Sequence, residues 1–268
     1  MMKKRVSMLL ILLFLASTGI SLAADTLVCW FPPGWKSKAA EAKQITDGLT
    51  SASGISIRPR IAKSYPEILT AFSSDDANLV YVGSFVQAII AARKLGTPLV
   101  QNINGTELYS GILIYPEGQD PNAILKDNAE DIAFAKGASS GESSAKAATA
   151  GRASIGVANH GAAVNAVKAG KAKAAVVKNW WWDSNGSKFV GMSAYDIPGV
   201  SEKKNPDNVL TASKAVPDDV AEKVKIAAIA NSEAFGKGAN MQSFDAGTLS
   251  FSLGLMQKGK IDPLTYTW

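Results

Sequence analysis

The chain has 268 residues, 47% of them hydrophobic, which is enough to bury a sizeable core without covalent staples. A single cysteine, Cys29, excludes any internal disulfide, and one cysteine with one histidine, His160, excludes the usual nitrogen–sulfur metal site. The formal charge of +5 falls to +2 when Lys3, Lys4 and Arg5 are set aside, and no basic stripe remains, so the composition argues against a nucleic-acid binder.

Those three cations precede an apolar run, Met8 to Leu15, and then the small residues Ala16, Ser17, Gly19, Ser21, Ala23 and Ala24. This is the layout of a secretory signal peptide, residues 1–23, with cleavage expected near Ala23. The apolar run is shorter than the roughly 20 residues of a membrane span. Val28 stands before Cys29 where a lipid-attachment signal needs a small residue, so the mature protein is expected to be unlipidated, in a bacterial periplasm, with Cys29 a buried strand residue.

Leu27 to Phe31 reads as an apolar strand stopped by Pro32-Pro33-Gly34, and the helix after it places Ala42, Ile45 and Leu49 on one face before Gly54. Ile55, Ile57 and Ile61 mark a second strand, which Pro59 assigns to a sheet edge. Ser64-Tyr65-Pro66-Glu67 and Ser84-Phe85-Val86-Gln87 both carry capping-box spacing at helix starts, the second following the strand Leu79 to Val82. Thr97 to Val100 and Tyr109 to Tyr115 read as strands, and Pro116-Glu117-Gly118 as the exit from a first lobe. Further strand–helix units run through Ile132 to Phe134 with the turn Gly137–Gly141, through Val157 with Asn159-His160-Gly161, and to the strand Ala174 to Val177. Val209 to Ala212 is a return strand, and Val216-Pro217-Asp218-Asp219 opens a long helix with proline and two acids in its first turn. Repeated strand–helix units predict an α/β fold with mostly parallel sheets, whose ligands bind at the carboxyl ends of the strands. The turns after Phe31, before Tyr65, at Ser84, at Ser139 and at His160 all fall there.

Gly137-Ala138-Ser139-Ser140-Gly141 matches G-x-S-x-G, the nucleophile elbow of serine hydrolases. A Ser139 nucleophile would need His160 as base and an acid to orient it, and the sole acid between them is Glu142, close to the serine and awkward to place behind the histidine. No lysine of the Walker type follows the turn. The alternative is that Ser139, Ser140 and the neighbouring backbone N–H groups hold an oxyanion at a helix start, with Ser84 doing the same from a second helix. Plain helix capping accounts for either turn alone; two such turns, both after strands, favour a binding role.

The segments "YPEILTAFSSDDANLVYVGSFVQAIIAARKLGTPL", "LYSGILIY", "DIAFAKGASSGESS", "NHGAAVNAVKAGKAKAAVV" and "NPDNVLTASKAVPDDVAEKVKIA" occur in an order that resembles the periplasmic solute-binding proteins of ABC transporters, in particular the phosphate/phosphite/phosphonate type. The resemblance implies a two-lobed α/β protein, each lobe a mostly parallel sheet flanked by helices, closing about a hinge on a small ligand. The lobes would be residues 24–115 with 208–268, and residues 116–207. It implies a non-catalytic monomer without a cofactor that serves a permease, with Tyr65, Tyr109, Ala138-Ser139-Ser140 and His160 at the pocket positions. Ala138 departs from a family pattern of three hydroxyls, and Trp180-Trp181-Trp182 stands where relatives that take amino-phosphonates carry a carboxylate. Tyr65, Tyr109, Trp30 and Trp181 are accordingly expected to shape the walls, and Ser84, Ser139, Ser140 and His160 to donate hydrogen bonds. Binding would strengthen if His160 gained its proton near the unperturbed value of about 6.5. Two alternatives keep the fold: an aromatic cage for an organic or quaternary-ammonium solute, or delivery to a membrane sensor in place of a permease.

Overall fold

The computed structural model describes residues 26–268; the expected signal peptide lies outside them. Strand β1 (Leu27–Phe31) leads through a 3-10 turn into α1 (Ala39–Ser53), whose buried Ala42, Ile45 and Leu49 share one face. Gly54 ends α1 in the left-handed region, φ 72°, and returns its N–H to the Thr50 carbonyl. Strand β2 (Ile57–Ile61) pairs only with β1, so the missing N–H of Pro59 costs no ladder bond. The chain continues through α2 (Tyr65–Ser73), β3 (Asn78–Val82), α3 (Ser84–Ala92) and β4 (Gly96–Asn102). After the two-residue β5 (Leu108–Tyr109) come β6 (Gly111–Pro116), α4 (Pro121–Asp127) and β7 (Ile132–Ala135), then a π-helical turn, Ser139–Ser143, running into α5 (Ser144–Ala148). Next are β8 (Ile155–Val157), α6 (His160–Lys168), β9 (Ala174–Lys178), α7 (Asn179–Asn185) and β10 (Met192–Tyr195). The return comprises β11 (Asn205–Pro206), β12 (Val209–Ser213), α8 (Asp218–Ala230), β13 (Met241–Ser243) and α9 (Ser250–Lys258).

The strands form two sheets, ordered β13-β4-β12-β3-β1-β2 and β10-β6-β9-β7-β8, linked by the antiparallel pair β5-β11. Within them β1, β2 and β3 run parallel, as do β7, β8 and β9, while β12 is antiparallel to both its neighbours. Strand alternation splits the first lobe's core into two layers: Cys29, Phe31, Leu79 and Tyr81 face α1 and α8, while Trp30, Val80 and Val82 face α2 and α3. In the second lobe Leu113, Phe134 and Val176 lie on one face, and Ile112, Ile114 and Val177 meet Val164 of α6 on the other.

Two sequence expectations change. Gly111–Pro116, read as the last strand of the first lobe, pairs with β9 and β10 and so opens the second sheet. The break falls at Ser110, whose N–H donates to Asn179 Oδ1 at 3.0 Å and whose carbonyl accepts from Asn179 N–H at 3.1 Å, tying it to the end of β9. Neither capping box closes reciprocally. Glu67 reaches past Ser64 to take the Lys63 N–H at 2.7 Å, and Gln87 donates to the carbonyls of Val82 and Val209 inside the core. Gly83, and not Ser84, is the N-cap of α3.

Candidate functional site

A cavity of about 130 Å³ lies between the two lobes, lined among others by Pro32, Tyr65, Gly83, Tyr109, Ala138, Ser140, His160, Lys178 and Asp207. Each main contributor stands where a strand of the parallel sets ends. Pro32 follows β1, Gly83 follows β3, the Gly137 turn follows β7, His160 follows β8, and Lys178 ends β9. Four of these positions also begin helical turns: Tyr65 opens α2, Gly83 caps α3, Ala138 precedes the π turn, and His160 opens α6. The first N–H groups of a helix lack intrahelical acceptors and carry its positive end, so the cavity gathers positive potential from several sides.

The lobes meet across this cavity. Gly137 has a left-handed φ of 74°, and a Cβ there would run into the Tyr65 ring from the opposite lobe. Burial holds the Tyr65 phenol protonated, its pKa pushed up to about 12. Tyr109 and Ser84, from different elements of the first lobe's rim, share a buried hydrogen bond of 2.9 Å between their hydroxyls. Tyr109 lines the cavity and Ser84 stands behind it.

On the second lobe, Ser140 Oγ and His160 Nε2 are 3.4 Å apart, and Nδ1 of His160 is buried without a hydrogen-bond partner. Burial, and secondarily the Lys178 charge, lower the His160 pKa to about 4. The ring is thus neutral at neutral pH and donates or accepts as a dipole; the expectation of a cationic His160 near pH 6.5 gives way to the cost of charging a desolvated ring. Ser139 lies in the same turn, its side chain outside the described set. The acid a hydrolase would need is committed elsewhere. Glu142 is buried and accepts from Gly137 N–H at 2.7 Å, from Trp268 Nε1–H at 3.1 Å and from the Tyr266 hydroxyl. Among the described residues no acid bonds to His160, so the G-x-S-x-G match gains no triad there.

Two expected wall residues stand elsewhere. Trp30 is not among the lining residues: it packs in the layer under α2 and α3, donating to Asn78 Oδ1 at 2.9 Å beneath the Arg60 guanidinium, 4.5 Å from its ring. Strand alternation sends Phe31 and Trp30 to opposite faces, and the cavity sits beyond the strand end, at Pro32. Trp181 packs behind His160, ring centroids 5.9 Å apart, and against Phe189, so it supports the histidine from outside the lining. Trp180 meets the lining residue Tyr109 edge to face at 6.0 Å.

Sequence reasoning missed Lys178 and Asp207. Lys178 Nζ donates to Asp207 Oδ1 at 2.8 Å and lies 4.3 Å from the Tyr109 ring centroid and 4.4 Å from that of Trp180. The signal for Lys178 was available: it ends the strand Ala174–Lys178, the same kind of position that marked the other turns. Asp207 follows β11, and only the return crossing brings it to the cleft.

The family model for the periplasmic phosphonate-binding component of ABC transporters matches residues 36–248. No curated protein sequence matches. Among solved structures, XAC2383 from Xanthomonas citri, bound to ATP, superimposes with a TM-score of 0.70 at 13% identity, over 88% of this chain and 97% of that one. PhnD1 from Prochlorococcus marinus, in complex with methylphosphonate, gives 0.64 at 12% identity, over 87% and 97%. A binding component of a phosphonate transporter from Pseudomonas aeruginosa gives 0.63 at 13% identity, over 87% and 88%. At such identities the superpositions speak for the two-lobed fold, while the match over residues 36–248 speaks for descent: the chain belongs to the phosphonate-binding family of periplasmic ABC-transporter substrate-binding proteins.

Proposed function

We propose that this transport protein captures a small tetrahedral oxyanion, an inorganic phosphate or a phosphonate bearing at most a small substituent, in the cavity between its lobes. The observation that carries the reading is the convergence of helix starts at Tyr65, Gly83, Ala138 and His160 on one cleft of about 130 Å³. That volume is well below the roughly 300–1,000 Å³ of pockets for drug-sized ligands. With the lobes as they stand, the space suits a ligand of a few heavy atoms better than a nucleotide such as the ATP of the Xanthomonas citri protein. Tyr65, Tyr109, Ser140 and neutral His160 supply directed donors at the cavity wall. Ser84 orients Tyr109 and Trp181 backs His160. The aromatic-cage alternative loses its place because Lys178 already occupies the faces of Tyr109 and Trp180.

In this reading the mature protein begins after cleavage near Ala23, carries no lipid, works as a monomer and hands its ligand to a permease. Thermal-shift and calorimetric titration with phosphate, phosphite, methylphosphonate, sulfate and choline test the ligand class. Methylphosphonate or phosphate is expected to bind in the micromolar range or tighter and to raise Tm. Binding of choline with silence from every oxyanion would overturn the assignment.

A further inference from the structure

The cleft holds a cation of its own. Around the Lys178 ammonium stand the Asp207 carboxylate at 2.8 Å and the faces of Tyr109 and Trp180 at 4.3 and 4.4 Å. A carboxylate joined to two π faces is the set of partners by which a protein grips an organic ammonium group. Tyr109, Lys178 and Asp207 all line the cavity, so this receptor for a cation lies inside the ligand space. The lysine side chain retains 21% of its exposure and the aspartate 32%, which places the pair at the cavity wall and not deep in either core.

We infer that Lys178 is a resident cation filling the place of a ligand's amine, and that it makes the site selective for phosphonates and phosphates without a positive charge over aminoalkyl-phosphonates. The inference rests on the oxyanion reading above and goes on to name the subclass of ligand. Three effects act together against a ligand ammonium. It would be set beside a like charge, its carboxylate partner is already neutralised, and the aromatic faces it would use are covered. Discrimination of this kind comes from a repulsive element as much as from attraction. The same lysine adds a compact positive charge near any bound oxyanion, which a ligand lacking its own amine needs.

Lys178→Met and Lys178→Gln variants, checked for folding by thermal melts, can be titrated with methylphosphonate and with 2-aminoethylphosphonate. Wild type is expected to prefer methylphosphonate by at least about 100-fold, a difference of roughly 2.7 kcal/mol. Either variant is expected to weaken methylphosphonate, to strengthen 2-aminoethylphosphonate, and so to narrow the ratio at least tenfold. Adding Asp207→Asn to Lys178→Gln is expected to abolish the gained affinity for the amine. Equal weakening of both ligands in both variants, or a wild type that takes the two equally well, would overturn the role of Lys178 while leaving the oxyanion reading intact. Failure of wild type to bind methylphosphonate, 2-aminoethylphosphonate or inorganic phosphate would overturn that reading and this inference with it.

Discussion

His160 shows how burial changes the chemistry that a residue name suggests. The unfolded chain takes up a proton on this ring near pH 6.5, whereas the folded chain resists it until about 4. Because the unfolded state binds the proton first, His160 contributes stability that is present above about pH 6.5 and is lost as the pH falls toward 4. For binding, the consequence is flatness. Replacing His160 by Gln keeps a neutral polar group but loses the donor geometry, and is expected to weaken methylphosphonate about tenfold. The ratio of wild-type to variant affinity should stay constant from pH 5.5 to 8. A ratio that grew on acidification would mean that a cationic His160 grips the anion. The residue type and its turn were legible in the sequence; its charge state was not, because that depends first on burial between the packed elements and secondarily on Lys178, 18 positions further on and brought near by the return of β9.

At the scale of elements, the turn from Gly137 to α5 is organised by an acid that serves structure. Glu142 lies in the π turn and takes donors from three sources: the backbone at Gly137, the indole of Trp268 and the phenol of Tyr266. Burial and the neighbouring carboxylate raise the Tyr266 pKa, so it remains a donor throughout the accessible pH range. In the sequence, Glu142 was visible only as a candidate partner for His160, because its real partners Tyr266 and Trp268 are more than 120 residues away. By contrast, the apolar spacing of α1, the edge position of Pro59 and the return strand β12 were readable, since each follows from local periodicity or from proline geometry. Glu142→Gln turns one acceptor oxygen into a donor facing N–H or O–H groups. It is expected to cost about 2–3 kcal/mol, seen as a lower urea midpoint with an unchanged slope. A midpoint within error of wild type would show that water replaces the carboxylate at no cost.

Across the whole molecule, the two sheets are joined by more than the β5-β11 crossing. Helix α9 contributes Leu255 to the second lobe's core and Met256 to the first lobe's core, so a rigid element is shared between them. The segment beyond it continues the bridge. Trp268 packs on Tyr65 at 5.9 Å and Phe85 at 5.7 Å in the first lobe while donating to Glu142 in the second. Tyr65 in turn covers Gly137, so one chain of contacts runs from Trp268 through the cavity wall to the turn at Gly137. Local sequence does not show that this tail touches both lobes, because a bridging role leaves no periodic mark. If these contacts form only when the lobes are together, they favour the closed arrangement, and removing them raises the fraction that must be closed by ligand. Trp268→Ala is then expected to weaken methylphosphonate about tenfold although Trp268 is not among the cavity-lining residues. Small-angle scattering should show a larger radius of gyration for the ligand-free variant than for ligand-free wild type, and equal radii once both are saturated. Unchanged affinity with unchanged radii would show that the bridge is equally intact in open and closed forms and has no part in setting their balance.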